Sequence, residues 1–202
     1  MHLNSSKRKQ NEYFNLSVTL FAITAIVAIL LSLVNFVTAN KIAMIKQEKL
    51  EQAMITVLPE ATVFEDIIET VRTKWNDKTA LLGVQQAKNQ EGETIGFCIE
   101  VAPKGYSDVV DMMVGINQDG EVTNVSIISL ADTPGIGTQI QEEAFQKQFV
   151  GKSGSLTAVK GSATGSAEVA LISGATYSSG GFTDGVNAAL QVYKLITEEG
   201  TK

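Results

Sequence analysis

"VVDMMVGINQDGEVTNVSII", residues 109–128, is two apolar runs joined by a polar step. Runs this long, rich in Val, Ile and Met and bounded by turn residues, read as strands. Between them stands Asn117-Gln118-Asp119-Gly120, whose Asp-Gly step supplies the positive backbone angles of a tight turn. The stretch therefore predicts an antiparallel hairpin. Just upstream, Val84 to Ala87 and Thr94 to Val101 flank "KNQEG" and predict a second one, with Cys98 inside it as a small core residue.

Downstream the period changes. Thr138 is placed to cap a helix that turns Ile140, Ala144 and Phe145 towards the core. Residues 151–170 are rich in Gly, Ser and Ala and read as loop with one edge strand. From Thr183 onward Val186, Ala189, Leu190, Tyr193 and Ile196 recur at helical spacing and predict a final amphipathic helix. Antiparallel strands with helices grouped between and after them make an α+β domain.

Composition narrows the chemistry. The only histidine is His2 and the only cysteine Cys98, so the 202-residue chain offers no imidazole-based triad, no intramolecular disulfide and no Cys-based metal cluster. Of the net charge of −6, residues 1–15 carry +2 and residues 16–40 carry none, which leaves −8 on residues 41–202. An acidic main domain repels phosphate backbones and argues against a nucleic-acid partner.

Before the domain runs "LSVTLFAITAIVAILLSLVNFVTA", residues 16–39, without charge, glycine or proline. As a helix it is about 36 Å long, enough to cross a bilayer core. The competing reading is a cleaved signal peptide ending at Val37-Thr38-Ala39, but such apolar cores run only about 7 to 15 residues. Lys7, Arg8 and Lys9 precede the span, whereas Lys41, Lys46 and Lys49 follow it among Glu48 and Glu51. The positive-inside bias then predicts a cytoplasmic tail over 1–15, a single transmembrane helix over 16–39 and a main domain outside the cytoplasm. Ile42, Ile45, Ala53, Met54 and Val57 extend the helical spacing through a stalk, 40–58, that Pro59 ends, leaving 59–202 as the domain.

One stretch is chemically pointed. "LISGATYSSGG", residues 171–181, packs small and hydroxylated residues ahead of the final helix. Free backbone N–H groups and a positive helix end suit a phosphate, and the same residue types serve as plain caps and turns. No lysine stands as in a Walker A loop, which argues against triphosphate hydrolysis.

Ser173-Gly174-Ala175-Thr176 followed by Ser178 resembles the flavinylation motif of extracytoplasmic FMN-binding domains, a family that includes the G subunit of Rnf electron-transport complexes and the C subunit of sodium-pumping NADH:quinone reductases. Gly105-Tyr106, "MVGINQDGEV" from Met113, "DTPGIG" from Asp132, "FQKQFVGK" from Phe145 and "VKG" from Val159 extend the likeness over nearly the whole chain, and the length favours the G subunit. The resemblance implies FMN joined through its phosphate to Thr176, with Ser173, Gly174, Ala175, the loop Thr133, Pro134, Gly135 and Ile136, and Lys160 as further flavin contacts. It also implies a flavin transferase for maturation, and an electron-transfer role in the inner membrane. There the chain's partners would be the other subunits of a complex that couples ferredoxin oxidation and NAD reduction to ion pumping. Two positions depart from the family: Ala170 replaces an aspartate, and Leu130 and Asp132 replace the histidine and glutamate of the "TPG" region. Ala170 keeps open a membrane-anchored scaffold of the same fold without flavin; a part like the quinone-reductase C subunit is the other alternative.

Overall fold

The structure, a computed structural model, describes residues 3–132 and 134–199 in two compact units, Met1–Gln47 and Glu48–Lys202. The first unit belongs to one helix, α1, Leu3–Val57, and among the described residues this is the only helix long and apolar enough to cross a membrane. Its apolar side chains are exposed all round, Leu16, Phe21, Leu30 and Phe36 among them, as expected where the surroundings are lipid rather than water. The hydroxyls of Ser17, Thr19, Thr24 and Thr38 turn back on the helix: Thr19 donates to the Asn15 carbonyl at 2.8 Å and Thr38 to that of Val34 at 2.8 Å. These hydroxyls are satisfied within the helix and do not need water.

The second unit is built on a sheet of β1 (Val63–Asp66), β2 (Ala80–Lys88), β3 (Thr94–Ala102), β4 (Val110–Asn117) and β5 (Val122–Leu130), in chain order and antiparallel throughout. Both expected hairpins are present, as β2–β3 and β4–β5. In the second, Asn117 Oδ1 accepts from the amides of Asp119 (3.0 Å) and Glu121 (2.9 Å), and Gly120 takes φ of +81°. That Asx-type geometry sets the register.

Helix α2 (Ile68–Arg72) bridges β1 and β2, while a parallel pair, β6 (Thr157–Val159) and β7 (Glu168–Ala170), lies outside the main sheet. The long carboxy-terminal helix comes fourth, after the four-residue α3 (Glu143–Gln146), and is α4, Thr176–Glu199. Phe97, Ile99 and Val101 of β3 and Val110, Met112, Val114 and Ile116 of β4 share a core with Phe182, Val186, Ala189 and Val192 of α4. Cys98 and Met113 point to the other face and meet Ala53 and Val57 of α1 and the adjoining Leu58. Glu48–Val57, expected as stalk, thus belongs to the packing of the sheet. With both faces covered, β3 and β4 are buried almost without alternation.

Two sequence expectations need correction. The final helix begins at Thr176 rather than Thr183, so the glycine-rich stretch forms its first turns. The glycines there serve packing: a Cβ at Gly181 would overlap the Lys104 carbonyl oxygen, and one at Gly185 would come within 2.6 Å of Pro103 Cγ and 2.8 Å of Met112 Sδ. Thr138, for its part, does not cap one helix. It lies inside a 3-10 turn, Gly137–Gln141, which breaks at Glu142 (ψ 130°) before α3, leaving Ile140 and Phe145 buried and Ala144 exposed.

Candidate functional site

The amino end of α4 is held by a small hydrogen-bonded staple. Ala175 N–H bonds to the Ile172 carbonyl at 3.1 Å across a turn in which Gly174 adopts φ of +85°, a value open to glycine at little cost. Buried Ser179 secures that turn to the helix: its Oγ accepts from Ile172 N–H at 3.2 Å and donates to the Ala175 carbonyl at 2.8 Å. The first intrahelical bond there is Ser179 N–H to the same carbonyl at 2.9 Å, so the amides of Thr176, Tyr177 and Ser178 lack helical acceptors.

Thr176, the first residue of α4, is exposed, and its hydroxyl makes no hydrogen bond among the described residues. Beside it opens a cleft of about 540 Å³ lined by Tyr106, Asp132, Ile136, Gly137 and the run Gly174 to Ser178. Three separate segments meet here, and the close approach of Gly181 to Lys104 is what brings the β3–β4 connection against α4. The Tyr106 and Tyr177 rings lie 6.0 Å apart at 54°, and both are largely exposed, as is Ile136. Apolar walls, a hydroxyl and a helix amino terminus at one end suit a planar aromatic ligand that carries a phosphate.

Of the residues singled out in the sequence, Gly174, Ala175, Thr176 and Ile136 line the cleft. Ser173, Pro134, Gly135 and Lys160 are not among its lining, and Thr133 lies outside the described residues. Gly135, at φ of +76°, instead shapes the loop, with its N–H bonded to Thr138 Oγ1 at 2.9 Å. Lys160 follows Val159, whose carbonyl accepts from Leu171 N–H at 2.8 Å, and so runs beside the strand that leads into the motif.

The departures also have a structural setting. Ala170 is gripped by the Gln148 amide, which accepts from its N–H at 2.9 Å and donates to its carbonyl at 3.4 Å. Glu168 does not substitute for an aspartate there, because its carboxylate accepts from Thr164 N–H (2.9 Å), Thr164 Oγ1 (3.2 Å) and Gly165 N–H (3.0 Å). Those bonds, the Thr164 amide first, hold its carboxyl below the usual range. Tyr106, Asp132, Gly137, Tyr177 and Ser178 were absent from the sequence-based contacts; the signals that pointed to four of them were the Gly105-Tyr106 match, the ends of "DTPGIG" and the Ser178 that follows the motif.

Residues 105–191 match the FMN-binding domain family. The chain is 34% identical over 195 residues to the G subunit of the Na(+)-translocating ferredoxin:NAD(+) oxidoreductase complex of Acetobacterium woodii, a match covering 92% of this chain and 93% of that one. It is 29% identical to the G subunit of the ion-translocating oxidoreductase complex of Methanosarcina acetivorans, over 86% of this chain and 90% of the relative. Among solved structures, the C subunit of the Na(+)-translocating NADH-quinone reductase of Parabacteroides distasonis superposes with a TM-score of 0.54 at 18% identity, over 77% of this chain and 95% of the other, which shows a shared fold.

Proposed function

The chain belongs to the G-subunit family of ion-translocating oxidoreductase complexes, and from that premise we propose that it is a membrane-anchored electron-transfer subunit that carries FMN on Thr176. The observation that carries the attachment site is the position of Thr176, an exposed hydroxyl without a partner among the described residues, at the first position of α4 and beside a cleft of cofactor size. The Ser178 hydroxyl, by contrast, is taken up by the Asp132 carboxylate.

In this reading the amides of Tyr177 and Ser178 would hold the phosphate group, and Tyr106, Ile136 and Tyr177 would hold the ring system. FMN held there would supply the redox chemistry of electron transfer. The protein positions it: Gly174 and Ser179 fix the turn, while Gly181 and Gly185 keep α4 pressed to Pro103 and Lys104. An unaided threonine hydroxyl is a poor nucleophile and the chain's only histidine is His2, so in this reading the bond is made by a separate flavin transferase, as the family resemblance implies. α1 anchors the chain, with its basic amino terminus in the cytoplasm and the FMN domain on the opposite side of the inner membrane. The redox partners are the other subunits of an Rnf-like complex coupling ferredoxin and NAD to ion movement.

The test is direct. Full-length protein from cells supplying the transferase should show flavin fluorescence on the denatured band, and Thr176→Ala should abolish it. A non-fluorescent wild-type band would favour the flavin-free scaffold suggested by Ala170; fluorescence that survives the substitution would place the bond elsewhere.

A further inference from the structure

We propose that Asp132 is the positioning residue that fixes the shape of this cleft, an inference that rests on the FMN reading above. The cleft has no single scaffold. Its walls come from the β3–β4 connection at Tyr106, the loop after β5 at Ile136 and Gly137, and the amino end of α4. Asp132 touches all three. Its Oδ2 accepts from the Ser178 hydroxyl on α4 and from Tyr106 N–H at 3.4 Å. Gly137 lies so close that a Cβ there would overlap the Asp132 carboxyl carbon, and a Cβ at Gly105 would sit 3.4 Å from Oδ2. Gly137 therefore leaves room for the carboxylate, while Gly105 lies in ordinary contact with it.

Two consequences follow from this placement. The contact ties the loop that contributes Ile136 to the helix that contributes Thr176, so the width of the cleft depends on it. It also engages the Ser178 hydroxyl, two residues beyond Thr176 on the same helix end, and leaves Thr176 as the hydroxyl open to modification. A hydrogen bond to a charged acceptor is among the stronger ones a protein makes, so losing either partner should release the loop.

The experiment uses full-length chain in detergent, from cells supplying the flavin transferase, as wild type, D132A, S178A, the D132A/S178A double variant and D132N. Flavin per chain should fall several-fold in D132A and in S178A, and in the double variant no further than in D132A, because both single variants remove the Asp132–Ser178 link. D132N keeps an acceptor oxygen and should restore attachment well above the D132A level. On unmodified chain, the hydrogen-bonded backbone amides of Gly135 and Gln139 and of Ala175 and Ser179 should exchange faster in both single variants, with those of β3 and β4 unchanged. Wild-type attachment in D132A or S178A, losses that multiply in the double variant, or unaltered exchange at both segments would overturn the proposal. A wild-type chain without flavin would sink the FMN reading instead, and the exchange measurement would still decide the role of Asp132.

Discussion

The two faces of the five-stranded sheet carry unequal cores. On the α4 face, Phe145, Phe149 and Phe182 pack edge-on and tilted with ring centroids 5.1 to 5.4 Å apart, in one core with Ile99, Met112, Val114 and Ile116. On the α1 face the cover is Ala53, Val57 and Leu58 over Ala87, Cys98, Met113 and Ile128, with the carboxylates of Glu100 and Asp111 buried farther along the same side. Aromatic side chains bury far more area than Ala or Cys, so most hydrophobic stabilisation lies on the α4 side. That is also the side that positions Thr176. The thinner face instead serves close approach: Gly115 lies beneath Val57, whose carbonyl accepts from Thr123 Oγ1 at 2.6 Å, and so secures the end of α1 to the sheet. Large side chains set the site's position, and small ones set the attachment of the anchor helix.

Substitutions on each face should expose this difference. Phe182→Ala removes a fully buried ring from the aromatic cluster and should cost about 4 kcal/mol of domain stability, read as a drop in the thermal midpoint of the detergent-solubilised chain. Its effect should reach the cleft, with less flavin attached, because Phe182 lies six residues beyond Thr176 on α4. If that variant unfolds no earlier than wild type, the α4 face is not the dominant core. Gly115→Ala attacks the other face, since its Cβ would lie 2.7 Å from both Val57 Cβ and the Val57 carbonyl oxygen. Overpacking of that kind should cost about 2 kcal/mol while leaving flavin attachment at the wild-type level. Loss of attachment in this variant would show that the two faces are coupled and would break the comparison.

The faces also differed in how openly the sequence displayed them. The hairpins were legible because Asn117 to Gly120 carries turn chemistry in the side chains themselves and the flanking runs are long. The start of α4 was not: Gly180 and Gly181 are loop signals by propensity, and their use in bringing a helix against Lys104 depends on a contact across 77 positions of chain, 181 less 104. Strands of three or four residues such as β1, β6 and β7 are too short to establish a period. At the site, Thr176 was marked by its motif, whereas Asp132 is defined by three segments distant in sequence that only the fold brings together.

Cys98 offers the finest probe of the thinner face. It is fully buried between β3 and the end of α1, its thiol 4.0 Å from the Met54 carbonyl, and burial pushes its pKa up to about 12 from 9.0. The native thiol therefore stays protonated and inert at neutral pH, and alkylation requires opening of the α1 face or of the whole domain. In Gly115→Ala labelling should accelerate by more than the global loss of stability accounts for, whereas in Phe182→Ala it should follow global unfolding. The sign of the pH effect follows from linkage. Between 9 and about 12 the unfolded chain loses the thiol proton while the folded chain keeps it, so this contribution is intact below 9 and is lost as pH rises through that window. Cys98→Ala should remove that part of the alkaline decline, measured as the wild-type-minus-variant difference in unfolding midpoint between about pH 8 and about pH 11. A difference that stays constant over the range would mean that the thiol is not held protonated by the packing of α1 on the sheet.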